Sequence, residues 1–370
     1  MLLSLVGTLG ECAVAAEELR GWNVARAIGV IPAAPGIDPR WIAICLRSAP
    51  VQALMRAWAT TTVQATLNLR DVRRLPILLP PEQLRADITE TVSSLDDKIE
   101  QNRLTARALE RLARAVFRAW FVDFEPVKAK VDGATNFPSM PQHVFDALPT
   151  RFVDSHIGPV PEAWTVGVLG DVFELGLGGQ WGGEIESAAE SYPARCLRGI
   201  DCHELANGSR PDVPLRWLKP TLAAKRRLDD GVVLVEGSGS YCGRSLLWRE
   251  SLQSLYTEHV LYSNFTKRLN PRRGVPNAVV AWYQMKAAYD NGVIANHRTG
   301  SAFPNLDVKG MLNSHAVAIP DMVTAAAFSD FVASTTGPHW IAENSKLGEI
   351  RDYLLPKLLS REVRAEAMHD

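Results

Sequence analysis

The chain has 370 residues, 46% of them hydrophobic, and a formal net charge of -1. That is enough apolar material for two or three compact units and excludes a disordered tail, while the near-neutral balance requires any surface for a polyanion to be local. Five cysteines, Cys12, Cys45, Cys196, Cys202 and Cys242, show no C-x-x-C spacing, which argues against a disulfide framework or zinc site and for a reducing cytoplasmic setting.

Met1 to Val6 is apolar, but it lacks a basic flank and breaks at Gly7 and Gly10, so neither a signal peptide nor a membrane span is expected. A start directly in strand-like residues predicts that the first unit is shortened at its N-terminus. Residues 1–80 read as this partial mixed unit, with a strand from Trp22 to Ile31 and a helix from Pro39 to Trp58. Pro80-Pro81 then opens a helix over 81–125, with Glu82 in the first turn where the helix dipole favours a carboxylate. Its apolar positions are Ile88, Val92, Leu95, Ile99, Ala106, Leu109, Ala113, Val116 and Trp120, and Asn102 fills the remaining place. Steps of four and three alternate throughout, so the helix, roughly 60 Å long, requires a partner helix along its length. Trp120, Phe121 and Phe124 crowd its end, either as core or as a face for another subunit.

Glu125-Pro126 is expected to end the helix, leaving 126–163 as a proline-rich link. A second mixed unit spans 164–320, with strands at Gly231 to Glu236 and His259 to Phe265 and a helix at Pro276 to Tyr289. A distal helix follows over 321–359, interrupted at Gly337-Pro338, and 360–370 is a tail.

The two halves repeat one order of elements. Thr66-Leu67-Asn68-Leu69, Leu75 and Pro80 are matched by Phe303-Pro304-Asn305-Leu306, Leu312 and Pro320. Ile99-Glu100-Gln101-Asn102 is matched by Ile341-Ala342-Glu343-Asn344, with Leu112 and Leu354 each ten residues further on. Asn102 and Asn344 are natural register-setting residues for a seam that also takes in Leu354 and Leu358. Val6-Gly7-Thr8 aligns with Glu236-Gly237-Ser238, which leaves the first unit short of roughly seventy residues that the second has from Trp164 onward.

The helix text from Leu95 to Asn102, Leu109-Glu110, and Phe117 to Val127 resembles the central region of Type I restriction-modification specificity subunits. Leu347 to Ser360 resembles their distal region. The resemblance implies an α+β fold: two α/β target-recognition units, the first incomplete, separated by two long helices forming an antiparallel coiled coil. It also implies a non-catalytic subunit that reads part of a bipartite site in double-stranded DNA, docks methyltransferase subunits, two by the family pattern, and joins motor-nuclease restriction subunits through the complex. The roughly 60 Å helix suits this role, approaching two turns of B-DNA at about 34 to 36 Å each. The alternative is a shortened interaction scaffold that binds the methyltransferase without reading DNA.

Between Arg195 and Arg298 sixteen Lys or Arg face nine Asp or Glu, an excess that the whole-chain charge hides. Lys225, Arg226, Arg227, Lys267-Arg268 and Arg272-Arg273 are candidate phosphate contacts. Base reading is expected from polar residues on glycine-containing loops: Ser238, Ser240, Tyr241 and Arg244, then Arg298, Thr299 and Ser301, with Gln180 and Trp181 in the Gly178 to Gly183 stretch. Thr61, Thr62 and Gln64 hold the matching place in the first unit. Gly176 to Gly182 misses G-x-G-x-x-G by one residue, Gly237-Ser238-Gly239 lacks the outer glycines of a nucleophile elbow, and no histidines have ligand spacing. No cofactor, metal or catalytic role is therefore expected.

Overall fold

The computed structural model describes residues 1–61, 65–300, 303–336 and 338–360. They divide into two compact units, Met1–Gln101 with the described residues from Asn344 onward, and Asn102–Glu343.

In the first unit, Leu2–Ser4 is the middle strand of an antiparallel sheet between Cys12–Ala13 and Ile28–Val30. The sheet lays Leu3 and Leu5 into one core with Ile42, Leu46, Val51 and Met55. The expected single helix from Pro39 to Trp58 is two helices, Pro39–Arg47 and Ala49–Trp58. Pro50 has no N–H to offer the Leu46 carbonyl, which accepts instead from Gln52 Nε2 at 2.9 Å. The strand expected from Trp22 to Ile31 shrinks to Ile28–Val30, because Trp22 is 73% exposed and nothing buries the chain there.

The long helix Glu82–Phe121 runs unbroken for 40 residues. Beyond it Phe124 takes a left-handed conformation, and Glu125–Val131 is a new helix with Pro126 in its first turn, so Glu125-Pro126 begins a helix rather than ending one. Within the first unit, Ile88 and Val92 share a core with Leu355 and Leu358 of the distal helix His339–Ser360, with Leu354 half-buried beside them. One turn past Val92, Asp96 meets Arg351, one turn before Leu355. The two helices are therefore antiparallel there. Within the second unit, Val116, Phe117, Trp120 and Phe121 share a core with Phe328 of the helix Met322–Thr335.

Of the expected seam positions, Ile88, Val92, Ile99, Asn102, Val116, Trp120, Ile341 and Leu358 are buried, and Leu95, Leu109, Asn344 and Leu354 are half-buried. Ile341 joins the cluster of Leu205, Leu246 and Leu252. Trp120 and Phe121 are core residues, with Phe121 packed on Trp164 at 5.5 Å, so the reading of these two as a face for another subunit does not hold. The distal helical text is two helices, parted between Thr335 and His339; Gly337, expected at that break, lies outside the described residues.

Asp96 accepts hydrogen bonds from Arg47 at 2.7 Å and Arg351 at 2.8 Å. Burial alone would raise its pKa, but the two guanidinium groups outweigh that and hold the carboxyl below its ordinary value. A carboxyl held low stabilises the fold above its unfolded pKa, about 3.9, and that contribution is lost as pH falls through the folded value. Asp96→Asn is expected to speed amide exchange across residues 344–360 at least tenfold at neutral pH, since charged hydrogen bonds are worth about 1.5 to 3 kcal/mol. Wild-type exchange there should approach the variant's only below about pH 4. Equal exchange in both proteins at neutral pH would remove Asp96 as the clamp.

The stretch 126–163, expected as a link, carries the helices Glu125–Val131 and Gln142–Ala147 and the hairpin Phe152–Val153 with Val160–Pro161. Val127, Val144, Phe145 and Leu148 are buried in the second unit's main core. That unit's larger sheet runs Ser245–Leu247, Val233–Glu236, Thr266–Pro271 and Phe173–Leu175, all antiparallel. A further sheet sets Tyr192–Leu197 between antiparallel Leu215–Leu218 and parallel His259–Tyr262. The helix Gly274–Asp290 crosses the core as expected.

Backbone bonds confirm the repeat and correct its register. Leu67 N donates to Leu5 O as Leu306 N donates to Gly237 O, both at 2.9 Å. Leu5 N bonds Ala27 O as Gly237 N bonds Phe265 O, and Val6 bridges Thr66 as Ser238 bridges Asn305. Thr60 Oγ1 reaches Thr66 O at 3.2 Å, and Thr299 Oγ1 reaches Asn305 O at 3.3 Å. Leu67 is thus equivalent to Leu306, Asn68 to Asp307 rather than to Asn305, and Val6 to Ser238 rather than to Glu236: both textual matches are two residues out of step. Among the described residues the first unit has no counterpart of the sheet around Tyr192–Leu197.

Candidate nucleic-acid interface

Two groups of loops on the second unit carry the candidate residues. One lies at the end of its larger sheet, where the turn Gly237–Gly243, the turn before Thr266 and the hairpin Arg298–Thr299 with Asn305–Leu306 are tied together. Gly237 is required there, since a Cβ would stand 2.8 Å from Phe265 O. The other is the Gly176–Gly183 stretch, laid against the second sheet so closely that a Cβ on Gly179 would sit 2.0 Å from Ser263 O.

Three candidate arginines direct their donors into the protein. Arg226 is buried and donates to Gly178 O at 2.7 Å and Leu222 O at 3.1 Å. Arg244 pairs with Glu236 at 2.9 Å and stacks on Tyr241 at 4.2 Å. Arg298 donates to Cys242 O at 2.9 Å and lies over Tyr289. Arg268 is likewise buried, held by Asn270, Asp229 and Arg227 O. Arg272 pairs with Glu174 at 3.7 Å, and Arg273 donates to Asp171 O. Arg226, Arg244, Arg298 and Arg268 each tie down a loop or strand end. Lys225 and Arg227 are exposed, and among the described residues their side chains have no hydrogen-bond or ion-pair partner.

Of the polar candidates, Ser240, Tyr241 and Thr299 are exposed and Ser238 is half-buried. Gln180 and Trp181 are half-buried; Gln180 N is tied to Tyr262 O at 3.0 Å, and the Arg216 guanidinium stacks on Trp181 at 4.4 Å. Ser301, Thr62 and Gln64 lie outside the described residues. Beneath Gln180, burial pushes the Cys196 thiol up to about 12, and the thiol donates to Gln180 O at 3.0 Å. It is packing, not a nucleophile.

No protein-family profile matches the chain. It is 38% identical over 82 residues to the Type I restriction enzyme HindI specificity subunit of Haemophilus influenzae, a match covering 22% of this chain and 18% of that protein. It is 29% identical over 111 residues to the Type I restriction enzyme MjaIX specificity subunit of Methanocaldococcus jannaschii, covering 30% of this chain and 21% of that one. The chain is similar to Type I specificity subunits. The matched stretches span about a fifth of those specificity subunits' own length. A solved Type-I S subunit from M. genitalium superposes on 96% of this chain and 82% of its own at 15% identity, with a TM-score of 0.48.

Sequence reasoning passed over two exposed side chains at the first loop group, Phe265 and Phe303. The signal was present as an aromatic residue inside each of two polar turns, Asn264-Phe265-Thr266 and Phe303-Pro304-Asn305. Among the described residues no helix is long and apolar enough to cross a membrane, and no three His, Cys, Asp or Glu side chains are grouped to hold a metal.

Proposed function

We propose that this chain is the DNA-recognition subunit of a Type I restriction-modification complex, reading part of a bipartite site in double-stranded DNA. The observation that carries the reading is the 38% identity to a named specificity subunit over 82 residues; the duplicated sheet-and-helix unit agrees with it. Residues 1–80 and 164–320 act as recognition units, the second including the packed stretch 126–163, and 81–125 with 321–359 are the helices between them. Methyltransferase subunits, two in the intact complex, dock on this chain, and restriction subunits join through them in the cytoplasm. The chemistry belongs to those partners, because this sequence has neither a phosphate-cradling loop nor a nucleophile elbow.

In the second unit, exposed Lys225 and Arg227 hold phosphates, while Ser238, Ser240, Tyr241 and Thr299, with Gln180 and Trp181, face the bases. Arg226, Arg244 and Arg298 act indirectly, by fixing the loops that present these groups. Selection from a randomised duplex pool by the chain with its methyltransferase tests the reading: recovery of a defined sequence supports it, and co-purification without sequence preference favours a scaffold. The Lys225→Ala/Arg227→Ala variant is expected to bind all duplexes more weakly, with a log–log salt slope reduced by about two. An unchanged slope would place the phosphates elsewhere.

A further inference from the structure

The loop end of the second unit's larger sheet presents aromatic rings to solvent. Phe265 is 63% exposed, Phe303 78% and Tyr241 58%. Burying a phenylalanine stabilises a fold, so a group of rings left outside together points to a use outside the fold. Gly237 N bonds Phe265 O at 2.8 Å, and Gly239 N bonds Pro304 O, next to Phe303, at 2.9 Å. Both phenylalanines are therefore anchored to one three-residue segment.

The charge around that segment suits a polyanion. Lys267 lies across Gly237, where a Cβ would come within 2.9 Å of its Cε, and among the described residues its ammonium group has no ion-pair partner. Of the neighbouring carboxylates, Glu236 is neutralised by Arg244 at 2.9 Å.

The repeat supplies an independent argument. The bond that places Phe265 in the second unit places Ala27 in the first. A side chain required by the shared frame, or by a partner common to both units, would keep its type in both copies. One that reads sequence is free to differ.

We propose that Phe265 and Phe303 are specificity-determining residues, making apolar contact with the bases of the half-site that the second unit reads, while Lys267 holds the adjacent phosphate. This rests on the DNA-recognition reading above. The rings discriminate because contact with a thymine methyl or a deformable base step depends on sequence, whereas the cations bind any duplex.

The test compares wild type, Phe265→Ala, Phe303→Ala and the double variant, each with the methyltransferase, on the duplex that wild type selects and on an unrelated duplex. The expected result is at least a tenfold loss of discrimination in the double variant. Its melting temperature, binding to the unrelated duplex and salt slope should be unchanged, and Phe265→Leu should recover part of the loss. A discriminating wild type whose double variant discriminates equally overturns this inference alone. A wild type with no preference overturns the recognition reading with it. Loss of methyltransferase assembly in the double variant assigns the rings to that partner and also overturns the inference.

Discussion

Glu110→Gln is expected to destabilise the second unit by about 3 to 5 kcal/mol, the cost of leaving a buried charge without its counter-charge. Glu110 Oε1 accepts from Lys286 Nζ at 2.5 Å and Arg114 Nε at 3.1 Å, and Oε2 accepts from the Tyr283 hydroxyl at 3.2 Å. Lys286 is almost enclosed, its ammonium 4.3 Å from the centre of the Trp282 ring. Burial pushes its pKa down, and the attraction of Glu110 is the main opposing effect. Glutamine keeps the shape and removes that opposition. A lysine depressed in the folded state releases its proton there while the unfolded chain still holds one, so stability rises with pH towards the ordinary lysine value of about 10.4. The variant's deficit in urea unfolding should therefore shrink as pH is raised. Glu110→Gln/Lys286→Met should recover most of it, because no buried charge is left at that contact. A deficit under about 1 kcal/mol, independent of pH, would show that solvent reaches the pair.

Phe328→Ala is expected to cost a similar amount, about 3 to 5 kcal/mol, through a cavity rather than a charge. The ring is fully buried, edge-on to Phe121 at 5.1 Å and to Tyr283 at 5.2 Å, with Phe117 and Trp120 alongside. It joins the helix Met322–Thr335 to the C-terminal half of the long helix, so amide exchange in both should rise together. Phe328→Leu should lose less than half as much. Tyr283 touches both Glu110 and Phe328, and Glu110→Gln/Phe328→Ala should depart from additivity by more than about 0.5 kcal/mol. Retention of wild-type melting by Phe328→Ala would mean that the neighbouring rings collapse into the space.

The long helix was legible in the sequence because a seam repeating every three to four residues over ten positions, nine of them apolar, leaves few alternatives. Its end was not, because Phe124 carries the turn in a left-handed conformation that no local residue advertises. Pro50 was legible in principle: a proline inside Pro39 to Trp58 had to part the helix near Ser48. The repeat was visible, but its register rested on Asn68 matching Asn305, whereas the matching bonds of Leu67 and Leu306 make Asn68 the equivalent of Asp307. At the candidate interface, the number of cations could be read but not their engagement. Arg226 reaches a carbonyl 48 residues away and Arg268 one 41 residues away, contacts set by packing between strands. Arg244 with Glu236, eight residues apart across one hairpin, was the exception that pattern could have found.

The duplicated ladder around Gly237 and Leu5 separates two kinds of inheritance within one chain. The amide bonds that hold the loops are indifferent to what the loops display, so the tips are replaceable parts on a fixed mount. Copying the segment around Phe265 into the place of Ala27 would keep those bonds and change only what the loop displays, so the surface of one half can be exchanged without a new fold.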